Sequence, residues 1–135
     1  RFLVGHGMSE LRPGRTLEAL YLKPLADREQ AHKGNVYPKS ERFILLIDIK
    51  SNGDEAYPFL DQLLTRYQHL FTAQLKGKAR PGPIMAILSG NRPRALLEAD
   101  ETRYCSLDGR PPDLGTKTPA DLIPLVSDNW NSHFK

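Results

Sequence analysis

Cysteine is almost absent from this chain. Cys105 is the single one among 135 residues, so no internal disulfide can form and pairing says nothing about the redox compartment. A lone thiol of this kind packs as a small hydrophobe. Long apolar runs are missing too: nothing approaches the ~20 residues of a membrane span, and Arg1 to Val4 lacks the layout of a signal peptide. The chain opens on an arginine inside what reads as structure, with no initiator methionine, so any targeting segment would precede Arg1. Localisation stays open; a secreted or periplasmic place is compatible with such a segment. Neither sign of charge dominates, since 19 Lys and Arg face 16 Asp and Glu for a net +3. That is too little to mark a nucleic-acid binder, although anionic ligands are not repelled. No repeat of fixed short period occurs, which excludes a solenoid. What is present, 39% hydrophobic and 26% charged residues, is ordinary for one globular domain spanning 1–135.

Along the chain, Phe2 to His6 (FLVGH) reads as a short strand broken by Gly5 and Gly7. Thr16 can cap a helical piece over Leu17 to Leu22, and Pro24 opens a second over Pro24 to Lys33, closed by Gly34. Asn52, Gly53 and Asp54 offer cap chemistry before the clearest helix, whose apolar stripe is Ala56, Phe59, Leu60, Leu63, Leu64, Tyr67 and Phe71, with Pro58 in its first turn. Lys76, Lys78 and Arg80, followed by Pro81 and Gly82, read as a solvated loop without the interleaved aromatics of a nucleic-acid patch. Pro83 to Pro93 reads as a strand ending in Ser89, Gly90 and Asn91, followed by a helix over Pro93 to Ala99. Tyr104 to Leu107 leads into Asp108, Gly109 and Arg110, and Leu122 to Val126 into Ser127, Asp128, Asn129 and Trp130. This βα rhythm of about five strands, each with a polar C-terminal end, predicts an α/β fold with a parallel sheet and its site at that end.

The segment FILLIDIKS, Phe43 to Ser51, is the most informative. Its near-continuous run of branched and aromatic residues predicts a parallel strand buried on both faces. Alternation puts Asp48 and Lys50 on one side, roughly 6 to 7 Å apart. Such a pair can hold a hard divalent cation and offer a point charge to phosphate, or simply close a strand end as a salt bridge.

The ordered motifs VGH, LRPGRTLEALYLKPL, LLIDIKS, ILSGNRP, DGRPPDL and VSDNW resemble the glycerophosphodiester phosphodiesterase and phosphatidylinositol phospholipase C-like superfamily. Within it they are similar to the altered inheritance of mitochondria protein 6-like group. The resemblance implies a TIM barrel and metal-dependent hydrolysis of a glycerophosphodiester or phospholipid-like substrate. His6 would be the general acid or base, although the family's His-Asp pair is here His6 followed by Gly7. Asp48 would hold Mg²⁺ or Ca²⁺, and Lys50 would contact substrate. The family's first histidine and its Glu-x-Asp pair should precede His6 and are not in this sequence. His32, His69 and His133, in helical or terminal segments, cannot replace that histidine by order.

Strand-end positions add four substrate-binding candidates: Arg110, which can meet a phosphate or head group or instead stabilise its turn as an ion pair, and Asn91, Asn129 and Trp130, which can line the pocket mouth. A full barrel typically needs ~250 residues, so the expectation is the central half of a barrel, lacking its first and last strands and inactive alone. Missing neighbours, a partner chain or a homo-oligomer would then cover its open edges. The alternatives are a non-catalytic phosphate-binding protein on the same scaffold and a lyase that forms a cyclic phosphate.

Overall fold

The computed structural model describes residues 1–39 and 41–133. The chain starts extended, but the expected strand over Phe2 to His6 does not form. Leu3 makes only an isolated antiparallel bridge to Thr16, supported by Val4 N–H donating to Arg15 O and Leu17 N–H to Phe2 O, both at 2.8 Å. The amides that would have built a sheet are taken by the returning chain. Thr16 acts as a cap, its Oγ1 accepting from Ala19 N–H at 3.1 Å. The two expected helical pieces run together, a π-type turn over Glu18–Leu22 passing directly into α1, Lys23–Ala31. Pro24 falls inside this continuous helical run, where it removes one backbone donor, and Gly34 at φ 102° ends the segment in the left-handed region.

β1 spans Phe43–Ile49 and leads into α2, Gly53–Arg66. Asn52 caps α2 by accepting from Glu55 N–H at 3.1 Å. This start puts Pro58 in the second turn rather than the first, so the carbonyl of exposed Asp54 lacks its helical donor and is left to solvent. The buried stripe is centred on Tyr57, Leu60, Leu63 and Leu64, whereas Phe59 faces out at 66% exposure.

The basic segment expected to be a loop is a hairpin. β2 (Ala73–Leu75) and β3 (Lys78–Arg80) pair antiparallel around Lys76 and Gly77. Both turn residues have positive φ, 50° and 78°, the signature of a two-residue turn whose twist matches its strands. β4 is Ile84–Gly90, α3 is Arg94–Ala99, β5 is Thr102–Arg103, β6 is Ser106–Gly109, β7 is Leu125–Val126 and α4 is Trp130–His133.

The strands form two sheets: a four-stranded one ordered β1-β4-β6-β7 and a three-stranded one ordered β3-β2-β5. All pairings in the first are parallel and those in the second antiparallel. The fold is therefore mixed α/β, and no closed barrel forms among the described residues. No helix among them is long and apolar enough to cross a membrane.

Leu45 and Ile49 of β1 and Ile84, Ala86 and Leu88 of β4 join Leu60, Leu63 and Leu64 of α2 in one core with Leu22, Leu97 and Leu107. The opposite face of β1 is bare: Ile44 and Leu46 are 51% and 55% exposed. This corrects the expectation of two buried faces. β1 pairs only with β4, so it is an edge strand, and among the described residues nothing packs over its second face.

Candidate functional site

Register builds the site. Asp48 of β1 stands opposite Ser89 of β4, and Leu88 opposite Leu107, so Asp108 follows as the next residue across the sheet from Ser89. Side chains at matched positions of neighbouring strands share a face. Asp48, Ser89 and Asp108 thus form a polar row across the C-terminal end of the parallel sheet, on the face that carries Ile44 and Leu46. Ser89 and Asp108 each follow an apolar run, and Asp48 comes one residue before β1 ends at Ile49.

At the β1 end, Lys50 Nζ meets Asp48 Oδ2 at 2.7 Å, and both groups are about half exposed or more, 65% and 48%. The sequence-predicted pair is together, and it is also a salt bridge. Gly90 lets Asp48 lean over the end of β4: at φ 72°, a Cβ there would lie 2.2 Å from Asp48 Oδ1 and 2.5 Å from Ile49 O. No other residue could adopt that backbone and leave the carboxylate its place.

At the β6 end, Asp108 is buried and one of its oxygens is crowded. Oδ2 accepts from Arg110 Nη1 at 2.6 Å, Ser89 Oγ at 2.7 Å and Ser127 Oγ at 2.7 Å. Oδ1 is buried with no hydrogen-bond partner. Burial pushes the carboxyl up, but the bonds from Arg110, Ser89 and Ser127 and the charge of Arg110 outweigh it and hold Asp108 below the ordinary carboxylate range. A depressed folded value contributes stability that is complete above the unfolded-chain value and is lost as pH falls through the folded one. Asp108→Asn is therefore expected to cost about 2–3 kcal/mol at pH 7, below the full range for a buried pair because Arg110 is partly exposed. Urea unfolding between pH 7 and pH 3 checks this: wild type should lose its advantage over the variant as the medium turns acid, and curves offset equally at every pH would contradict it.

The other candidates are placed as follows. Asn91 is turned onto the backbone, its Nδ2 donating to Lys50 O at 3.1 Å and Ser51 O at 2.8 Å, so it pins the loop that carries Lys50. Arg110 lies just beyond β6, with its backbone N–H on Asp113 Oδ2 at 2.8 Å. Asp113 is in turn gripped by Arg94 Nη1 at 2.5 Å, whose bond holds the Asp113 carboxyl low. Asn129 receives Asn131 N–H at 2.9 Å at the start of α4, and Trp130 beside it is 69% exposed. His6 lies in an exposed turn where its backbone N–H donates to Glu10 Oε2 at 2.9 Å; no described side chain hydrogen-bonds its imidazole. With the first strand unformed, His6 is not carried on a strand end as the sequence suggested.

Ser89, Asp108 and Ser127 join the site without being candidates from the sequence, although each, like Asp48, is a polar residue at the C-terminal end of an apolar stretch. Two open clefts lie elsewhere, both lined by Glu98, Arg103 and Asp121. They flank the start of β6, where Ser106 Oγ donates to Asp121 O at 2.8 Å, and so take no part in the polar row.

Residues 1–108 match the family model described as the AIM6-like phosphodiesterase domain. That match includes His6, Asp48, Lys50 and Asp108 and stops short of Arg110. Among curated proteins, the altered inheritance of mitochondria protein 6 homolog of Arthroderma benhamiae is 29% identical over 131 residues, which covers 82% of this chain and 40% of that protein. The chain thus spans about 40% of the length of the curated relative it matches. No solved structure matches. With four-fifths of its length on the family model and its acid–lysine strand intact, the chain belongs to the AIM6-like phosphodiesterase domain family.

Proposed function

We propose that this domain serves metal-dependent phosphodiester hydrolysis in the full-length protein, on a glycerophosphodiester or phospholipid-like substrate. The observation that carries the reading is the Asp48–Lys50 pair standing at the C-terminal end of a parallel sheet, in line with Ser89 and Asp108. The β1-β4-β6-β7 order follows the chain, with α2 between β1 and β4 and α3 between β4 and β6, which suits an arc of a larger (β/α) barrel as well as an open sheet.

The residues present suit part of a cation site. Gly90 keeps Asp48 Oδ1 clear, and an aspartate oxygen is the hard donor that Mg²⁺ or Ca²⁺ takes. Among the described residues no group of three His, Cys, Asp or Glu converges to hold a metal. Asp48 would be this chain's ligand, with water, substrate phosphate and other parts of the full-length protein completing the oxygen shell. A bound cation would neutralise charge that grows on the phosphate. Lys50 then adds a point charge at the same place, and Arg110 a second cation along the row. His6, once oriented by substrate or by the rest of the protein, would exchange a proton with the leaving alkoxide or the nucleophile.

Hydrolysis of bis(4-nitrophenyl) phosphate and glycerophosphocholine by the full-length protein, before and after EDTA, tests this. Activity should vanish with chelator and return with Mg²⁺ or Ca²⁺. Phosphate binding without turnover at any cation concentration would overturn hydrolysis in favour of a binding scaffold. A cyclic phosphate as the end product would make the protein a lyase.

A further inference from the structure

We infer that Asp108 is a positioning residue that holds the Arg110 guanidinium at the end of the sheet so that its Nε–Nη2 edge receives a phosphate oxyanion. This rests on the phosphodiester reading of the same site and adds a receptor for the anion within it.

The hydrogen-bond inventory of Arg110 shows which edge is committed. Nη1 donates to Asp108 Oδ2 at 2.6 Å, to Gly109 O at 3.0 Å and to Ser127 Oγ at 3.2 Å. Nη2 reaches Ser89 Oγ at 3.3 Å. Ser89 Oγ is itself 2.7 Å from the Asp108 oxygen that Nη1 grips, so Ser89 and Asp108 share the Nη1–Nη2 edge. The N–H of Nε and the second N–H of Nη2 have no partner among the described residues. In a planar guanidinium these two bonds run parallel, and they match two oxygens of one phosphate.

Access and rigidity agree with this. The Arg110 side chain is 34% exposed and that of Asp108 only 2%, so the guanidinium keeps contact with solvent while the carboxylate that anchors it is buried. The backbone is fixed as well, by the Arg110–Asp113–Arg94 chain of bonds. Arg92 Nη1 donates to Asp108 O at 2.5 Å and adds a further cation behind the site. Asp108 therefore fixes a long, rotamer-rich side chain in one orientation before any anion arrives, and the ordering cost is met by the fold.

Charge alone predicts the opposite effect, and that makes the inference testable. Removing a buried carboxylate beside an anion site should strengthen anion binding if only the local potential matters. Removing a positioning residue should weaken it. The probe is inorganic phosphate, titrated into the full-length protein by calorimetry, with dimethyl phosphate in a parallel arm and thermal unfolding of each variant as the folding control. Arg110→Lys, which keeps the charge and loses the fork, is expected to weaken phosphate binding about tenfold, and Asp108→Asn by about as much. Should Asp108→Asn fail to fold, Ser89→Ala and Ser127→Ala each remove one bond of the clamp and should each weaken binding about threefold.

Weakening of both ligands assigns the edge to the scissile diester; weakening of inorganic phosphate alone assigns it to a second phosphate on the substrate. Either supports the inference. Binding that is unchanged or tighter in Asp108→Asn, or unchanged in Arg110→Lys, overturns it. If Lys50→Ala alone abolishes phosphate binding, the anion sits on the Asp48–Lys50 pair; the inference is then wrong and the phosphodiester reading stands. Weaker phosphate binding in Asp108→Asn without hydrolysis by any form of the protein keeps the inference and removes the turnover.

Discussion

Asp48→Ala in the full-length protein is expected to lower phosphodiester turnover by roughly 10³-fold, about 4 kcal/mol of transition-state stabilisation at 1.36 kcal/mol per decade. The same substitution should scarcely change stability. Asp48 is half exposed and its pairing with Lys50 lies in solvent, where such pairs contribute about 0–1 kcal/mol. A purely structural Asp48 would show the reverse pattern, with a lowered Tm and kcat kept. Asp48→Asn sharpens the distinction, because it preserves shape and removes the anionic donor. Its cation requirement should rise well above wild type in the EDTA and add-back assay. Equal turnover and equal cation dependence in both variants would remove Asp48 from the site.

The largest effect on folding is expected at Phe71. Its side chain is fully buried, and its main chain is approached so closely by Gly82 that a Cβ there would lie 2.4 Å from Phe71 C. Thr72 N–H donates to Ile84 O at 2.8 Å, which locks the neighbouring backbone onto β4. The surroundings therefore cannot collapse into a void. Phe71→Ala should cost about 3–5 kcal/mol, the range for buried aromatic truncation. That is a large part of the total for a domain whose stability lies in the usual range of about 5–15 kcal/mol. Urea unfolding followed by far-UV circular dichroism measures it, and a loss below about 1 kcal/mol would show that the site refills or that Phe71 is peripheral.

Much of the fold was legible because burial leaves a periodic trace. The stripe of Leu60, Leu63 and Leu64, the apolar run of β1 and the Asn52 cap all rest on local rules of side-chain direction and amide satisfaction. Where those rules left a choice, tertiary contacts made it. Tyr57 rather than Phe59 faces the core, since Tyr57 is buried with its hydroxyl donating to Asp100 at 2.8 Å. Phe2 to His6 has the composition of a strand, yet Val4 N–H donates to Arg15 O and Phe2 O accepts from Leu17 N–H. The hairpin of β2 and β3 was hidden by its lysines, because strand ends in solvent carry no apolar signature. The apolar run stops at Leu107, so the sequence puts Asp108 past its strand, whereas the backbone pairing continues to Gly109.

By itself the sequence determined the family, the parallel strand that ends in Asp48 and Lys50, and the rule that polar residues gather where such strands stop. These follow from neighbours along the chain, where spacing of two or of three to four residues fixes which side chains can share a face. Only the tertiary structure decided that Ser89, Asp108, Arg110 and Ser127 form one cluster, and that a single oxygen of Asp108 anchors three donors. Those residues come from three strand ends up to 38 positions apart in the sequence. Register between strands, set by packing of the whole core, is the physical quantity that brought them together.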